Sequence, residues 1–239
     1  GDVYKRQALG MFLVAACPGG NLSNYFSLIG KANVALSISL TGISTVVSFV
    51  CTPFIFRFWG NLYGPTASLL QRIDISFLNV LVQILFILTL PLAAGLLTGK
   101  FFPRLTLRIA GPIKHLSFLI LLGFIGVAFY ANSRQFVQYV HLVFVLVLLH
   151  NATALASGYG LALGTGQPVE NRRSISIETG IQNSGLGLVL IFNFFGGYGG
   201  MALVAAWWGI WHIVAGLAIA RLFSYQDARG PTALREQAA

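Results

Sequence analysis

Oxygen-bearing side chains gather in three short stretches of an otherwise apolar chain. The run CPGGNLSN supplies Asn21, Ser23 and Asn24, and NVALSISLTG supplies Ser37 and Thr41. Those last two are four residues apart and so share one helix face. ISIETGIQNSGLG adds Glu178, Gln182, Asn183 and Ser184. Hydroxyls, amides, one carboxylate and the carbonyls freed wherever a helix is interrupted form a hard-oxygen set without sulfur or imidazole. A hard monovalent cation wants such a set. Ser and Thr in apolar helices also bond to their own backbone, a role that needs no ion.

The elements that must position these residues belong to a membrane. Of 239 residues, 56% are hydrophobic and 9% charged, with a mean hydropathy of +0.78, a balance that no soluble domain of this size needs. The chain is an all-α, polytopic membrane protein on these grounds. Cys17 and Cys51 lie in apolar context without metal or disulfide spacing. The formal charge of +9 comes from basic residues scattered in short loops, which argues for membrane topology and against a nucleic-acid partner.

Seven apolar segments reach the roughly 20 residues a crossing needs: 8–30, 33–56, 75–99, 114–130, 137–162, 175–195 and 201–223. Turn signals separate them: Trp59, Gly60, Tyr63, Gly64 and Pro65, then Pro103, Gly111 and Pro112, then GTGQP. The first and sixth segments are interrupted, by Pro18, Gly19 and Gly20 and by Gly180. Either such a break is a packing kink, or it is one of the paired breaks that mark a transporter's binding site. Glu178 divides the same way. Five residues after Arg173, it is either a solvated acid at the interface or a buried one with partners, since an acid at the bilayer centre costs roughly 2.5–3.5 kcal/mol.

Alternate connectors lie on opposite faces. One side receives Lys31, Lys100, Arg104, Arg108, Lys114, Arg172, Arg173, Arg221, Arg229 and Arg235, the other Arg57, Arg72 and Arg134, with Lys5 and Arg6 of the first seven residues set aside. The richer side is expected to be cytoplasmic, with the C-terminus on it. The first seven residues, GDVYKRQ, read as a foreign or truncation segment.

Taken together, CPGGNLSN, NVALSISLTGIST, ETGIQNSGLG and the WH pair near the end resemble the bile acid:sodium symporter family, in a bacterial-type member. The resemblance implies ten spans in two inverted five-span repeats, a core and a panel domain, and discontinuous fourth and ninth spans that cross. The first and sixth segments here then correspond to those two, and the chain is an N-terminally truncated fragment lacking three spans. Its domains would be 1–7 foreign, 8–56 core, 57–74 linker, 75–130 panel, 131–223 core and 224–239 a cytoplasmic tail.

Site residues follow from the same resemblance. A first sodium site is implied at Ser23, Asn24, Ser37, Thr41 and Glu178, and a second at Glu178, Thr179, Ile181 and Gln182. The second also resembles one completed by a glutamine from a span this chain does not contain. Substrate contacts are implied at Asn21, Leu22, Asn183 and His212, although the family's WHN reads WHI here, with Ile213 in place of an amide. His150 and Asn151 are assigned to helix packing, and His115 and His141 suggest nothing.

The expected function is therefore a sodium-coupled symporter, not an enzyme, in the cell (inner) membrane. It would import a bile-acid-like or small carboxylate anion by alternating access, with sodium as coupling ion and no other cofactor. Freed N–H groups after Gly20 suit such an anion. A proton- or sodium-coupled antiporter using Glu178 is the nearest alternative. Of another class are a non-transporting sensor and an intramembrane hydrolase pairing Ser23 or Ser184 with His150 or His212, for which no nucleophile elbow is present.

Overall fold

The computed structural model describes residues 2–72, 77–131, 133–197 and 199–228, which are almost wholly helical. In chain order the helices are α1 (Asp2–Ala16), α2 (Leu22–Ile29), α3 (Val34–Leu62), α4 (Gly64–Arg72), α5 (Phe77–Phe101), α6 (Pro103–Ala131), α7 (Ser133–Gly164), α8 (Val169–Gly180), α9 (Ser184–Phe194) and α10 (Gly199–Ala228). Among the described residues there is no strand.

Five helices, α3, α5, α6, α7 and α10, hold stretches long and apolar enough to cross a membrane. The first and sixth apolar segments are instead divided, into α1 and α2 and into α8 and α9. Their halves of 15, 8, 12 and 11 residues are each too short to span alone. α1 runs through residue 7 without a break. The expected 224–239 tail is helical as far as Ala228, and the rest lies outside the described residues.

Two boundaries differ from the punctuation in the sequence. The fourth segment is not short: α6 starts at Pro103 and runs 29 residues, with Gly111 and Pro112 inside it. Only Phe102 separates it from α5. Pro103 is tolerated because a first-turn residue has no helical N–H partner to lose, whereas Pro112 gives up a bond inside the helix, which membrane helices accommodate. Trp59 and Gly60 also lie within a helix, since α3 continues to Leu62, and Gly64 and Pro65 open α4 rather than a loop. Thr66 closes that junction, its hydroxyl donating to the Gly60 carbonyl at 2.6 Å.

The packed residues form two compact units. The first comprises the chain up to Cys17 with Thr45–Val143 and Ser184–Trp207. Within it α1 packs on α4 and α9, α5 on α6, and α6 on α9, around Leu9, Leu13, Val14, Leu188, Ile191 and Met201. The Thr52 hydroxyl donates to the Ala16 carbonyl at 2.7 Å, supplying a partner to the free end of α1. Large apolar side chains of α5 and α6, such as Leu96 and Leu107, stay exposed, which suits a hydrocarbon solvent.

The second unit comprises Pro18–Ser44, Phe144–Asn183 and the chain from Trp208. Its core is Phe26, Ile177, Ile181, Ala220 and Phe223, with Leu22, Tyr159 and Ile213 against it. Small residues let helices approach closely, as is common where lipid removes the hydrophobic drive for association. Gly216 of α10 faces the Phe26 ring, and a Cβ on Gly158 of α7 would lie 2.9 Å from the Ile175 carbonyl of α8. The boundaries of the units fall within α3, α7 and α10.

Gly158→Val should therefore force α7 from α8 and lower stability by about 1–3 kcal/mol. Gly160→Ala, where a Cβ meets nothing within 4 Å, should be neutral or stabilising. Thermal unfolding in detergent checks the contrast; equal effects would mean that α7 does not pack on α8 at Gly158.

Candidate ion and substrate site

The site is built from the two breaks. α1 ends at Ala16 and helix resumes at Leu22; α8 ends at Gly180, Ile181 is extended (φ −107°, ψ 90°), and α9 starts at Ser184. The linkers run antiparallel, side by side. Gly20 N–H donates to the Ile181 carbonyl at 2.6 Å and Asn183 N–H to the Pro18 carbonyl at 2.8 Å, with Gly19 opposite Gln182. Each break supplies partners for the other, as apolar surroundings require. Pro18 has only its carbonyl to offer, and that is the atom used. Ser23 N–H closes the first turn of α2 on the Gly20 carbonyl at 2.9 Å.

A carboxylate sits on this pairing. Glu178 is buried, 8% exposed, in the last turn of α8, and a Cβ on Gly19 would collide with its Oε1. The Ser23 hydroxyl donates to Glu178 Oε2 at 2.5 Å, Thr41 reaches Oε1 at 2.8 Å and Oε2 at 3.0 Å, and Ser37 reaches Oε2 at 3.4 Å. Thr41 Oγ1 also lies 3.4 Å from Asn24 Oδ1 and 3.0 Å from the Ser37 carbonyl. Ser23, Asn24, Ser37, Thr41 and Glu178 are thus brought together. Of the two readings for Glu178, the structure places it inside the protein.

The proton count of this cluster matters. Three hydroxyls offer one proton each, while the two carboxylate oxygens, Asn24 Oδ1 and the Ser37 carbonyl all accept. Acceptors outnumber donors, and no cation among the described residues pairs with Glu178. Arg173, one turn or so earlier, holds its Nη1 at the Gly30 and Lys31 carbonyls (3.4 and 3.5 Å) with its guanidinium over the Phe223 ring.

The other predicted residues are less closely joined. Gln182 Nε2 donates to the Thr179 carbonyl at 3.0 Å and leaves Oε1 buried without a hydrogen bond. The Ile181 carbonyl receives Gly20 N–H, and the Thr179 hydroxyl bonds Ile175 within its own helix. Asn21 is exposed at the start of α2, Leu22 packs on the Phe26 cluster, and Asn183 is half-buried beside Pro18. His212 is buried in α10, and no hydrogen bond brings it to the Glu178 cluster. His150 packs edge-on against Trp208.

Two groups that position the break were not assigned to the site by sequence, where Asn151 is given only a helix-packing role. Buried Asn151 donates Nδ2 to the Gly180 carbonyl at 2.7 Å, capping the free end of α8 at the break. Its only signal is an amide inside an apolar run. At the other end of α8, the loop after α2 is strapped down: Ser174 Oγ and Asn33 O at 2.8 Å, Asn33 N–H and Glu170 O at 3.1 Å, Asn33 Nδ2 and Asn171 Oδ1 at 2.9 Å. Asn33 Oδ1 also accepts Leu36 N–H at 3.0 Å and so caps α3.

The profile of the Sodium Bile acid symporter family matches residues 2–139. The chain belongs to this family. Over 217 residues, 91% of the chain, it is 29% identical to the uncharacterized sodium-dependent transporter YocS of Bacillus subtilis (strain 168), 64% of which is covered. It is 32% identical over 79% of its length to the probable sodium/metabolite cotransporter BASS1, chloroplastic, of Arabidopsis thaliana, covering 45% of that protein. It is 30% identical over 74% to the sodium-dependent organic anion transporter of Homo sapiens, again covering 45%. The chain thus spans less than two thirds of each of these relatives. They are sodium-dependent transporters, not enzymes, which leaves no role for the hydrolase alternative. With this family and several apolar helices, the protein is a multi-pass membrane protein.

Asn151→Leu removes the cap and strands the Gly180 carbonyl. It should cost about 1–3 kcal/mol, read as a fall in the thermal unfolding midpoint in detergent. An unchanged midpoint would show that the break holds without Asn151.

Proposed function

We propose that this chain carries the ion- and substrate-binding region of a sodium-coupled symporter that imports an organic anion by alternating access. One observation carries the reading: three hydroxyls converge on a buried carboxylate that no cation among the described residues neutralises, with the Asn24 amide oxygen beside one of those hydroxyls. Ser23, Asn24, Ser37, Thr41 and Glu178 form the first sodium site. Gln182, whose Oε1 is buried without a hydrogen bond, joins Glu178, Thr179 and Ile181 in the second. Sodium supplies the positive charge that the cluster lacks.

The organic anion, a bile-acid-like compound or a small carboxylate, lies beside the break against Asn21, Leu22, Asn183 and His212. There the first turn of α2 presents N–H groups and a positive helix end. Two sodium ions with one monovalent anion carry a net inward charge, so the membrane potential adds roughly 2.3 kcal/mol per 100 mV to the drive. In this reading α1 with α2, and α8 with α9, each make one broken crossing. Seven crossings of a ten-span inverted repeat result, with 8–56 and 131–223 in a core that moves against a panel at 75–130. The protein lies in the cell membrane with its C-terminus in the cytoplasm, as the basic residues direct.

Sodium-dependent thermal stabilisation tests the ion reading. At a hundredfold excess over Kd, sodium should stabilise the purified protein by about 2.7 kcal/mol relative to potassium at equal ionic strength. Glu178→Ala and Thr41→Ala should abolish the difference. A shift that potassium reproduces, or that survives loss of Glu178, would sink the assignment.

A further inference from the structure

One turn from the Glu178 cluster stand two buried hydroxyls, Ser27 and Ser174, that the two sodium sites do not use. The three helices around the cluster each carry a partner residue four positions away: Ser23 with Ser27 on α2, Thr41 with Ser37 on α3, and Glu178 with Ser174 on α8. Four residues are about one turn, so each partner lies on the same face, displaced by roughly 5–6 Å. α2 descends toward the loop at 30–33 while α3 and α8 rise away from it. The displacement therefore has one direction on all three helices, toward the strap formed by Asn33 and Ser174.

Ser27, Ser37 and Ser174 are all fully buried. Ser37 joins these hydroxyls to the cluster, since its own hydroxyl reaches Glu178 Oε2 at 3.4 Å. Ser174 Oγ lies at the Asn33 and Glu170 carbonyls, 2.8 and 3.1 Å away. Ser27 Oγ has no hydrogen-bond partner among the described residues. A buried hydroxyl left unpaired is costly, and here it shares the face on which Ser23 meets the carboxylate. The next turn of α8 ends the series at Glu170, which is exposed.

We propose that Ser27 and Ser174, with Ser37 shared from the first sodium site, form a further monovalent-cation position adjoining the Glu178 cluster, through which sodium passes toward the Glu170 end. The idea rests on the sodium reading of Glu178. Hydroxyl and carbonyl oxygens are the hard ligands sodium accepts. With no carboxylate of its own the position holds the ion weakly, as a step on a path must. Lys31, Arg172 and Arg173 stand at the same end, the side that the basic residues assign to the cytoplasm, so the path is one of release. Arg173 is engaged there by the Gly30 and Lys31 carbonyls and the Phe223 ring.

The test separates rate from affinity. Sodium release from the purified protein is followed with radioactive sodium after rapid dilution, and affinity by the thermal shift. Ser27→Ala should slow release about tenfold, the effect of removing one oxygen from a cation's path, while the sodium dependence of the thermal shift stays that of the parent. Ser27→Cys, nearly isosteric but with a soft sulfur, should slow it similarly. Release at the parent's rate in Ser27→Ala, or a normal rate in Ser27→Cys, overturns the proposal. So does a loss of affinity matching the loss of rate, which would place Ser27 in the main site. A parent that sodium does not stabilise overturns the underlying sodium reading, and this proposal with it.

Discussion

Two helix ends that stop inside apolar surroundings leave N–H and carbonyl groups that water cannot reach, each costing several kcal/mol if unpaired. Here the ends are satisfied by one another. The bond from Gly20 N–H to the Ile181 carbonyl also sets the chemistry: Ser23 lies three residues after Gly20, and Glu178 three residues before Ile181. Fixing the two backbones fixes the separation of these side chains, and the Ser23 hydroxyl arrives 2.5 Å from the carboxylate. Gly19 completes the constraint, because any side chain there would occupy the place of Glu178. The oxygen cluster is thus a consequence of backbone pairing.

Much of this was legible in the sequence because the signals are local. Pro18, Gly19, Gly20 and Gly180 announce breaks in segments otherwise apolar enough to be helical, and the spacing of Ser37 and Thr41 puts two hydroxyls on one face. The cap by Asn151 was not legible, since its partner Gly180 is distant in sequence and an amide in an apolar run looks like any helix-packing group. The strap through Asn33, Asn171 and Ser174 was hidden for the same reason. Pro112 misled because its effect depends on surroundings. In water a mid-helix proline reads as a stop, whereas α6 carries it within 29 helical residues. The substrate side is the least legible: Asn21, Leu22 and His212 share no hydrogen bond that would define a pocket.

The choice of hydroxyls around Glu178 bears on exchange. A lysine or arginine in their place would neutralise the carboxylate permanently, and removing an ion from the site would then be neither needed nor possible. Hydroxyls stabilise the carboxylate partly by donating protons, yet each can rotate to present a lone pair instead. In the proposed sodium site the same three side chains would therefore serve the cluster with and without a cation, at little reorganisation. Arg173, close by in sequence, is kept out of this role by the carbonyls at Gly30 and Lys31, which suit a cation at the free end of α2.

Rigidity follows from the same contacts. α2 is held at its start by the linker pairing and at its end by the strap to α8, while the strap also caps the start of α3 through Asn33. Between these two anchors lie Ser23, Asn24, Ser37, Thr41 and Glu178. Three short helical stretches tied at both ends change their mutual spacing only by breaking several hydrogen bonds together. As the proposed sodium site, an oxygen set held in this way would discriminate between ions by fixed distances, and alternating access, as proposed, would have to leave these three stretches together and act at their connections to the rest of the chain.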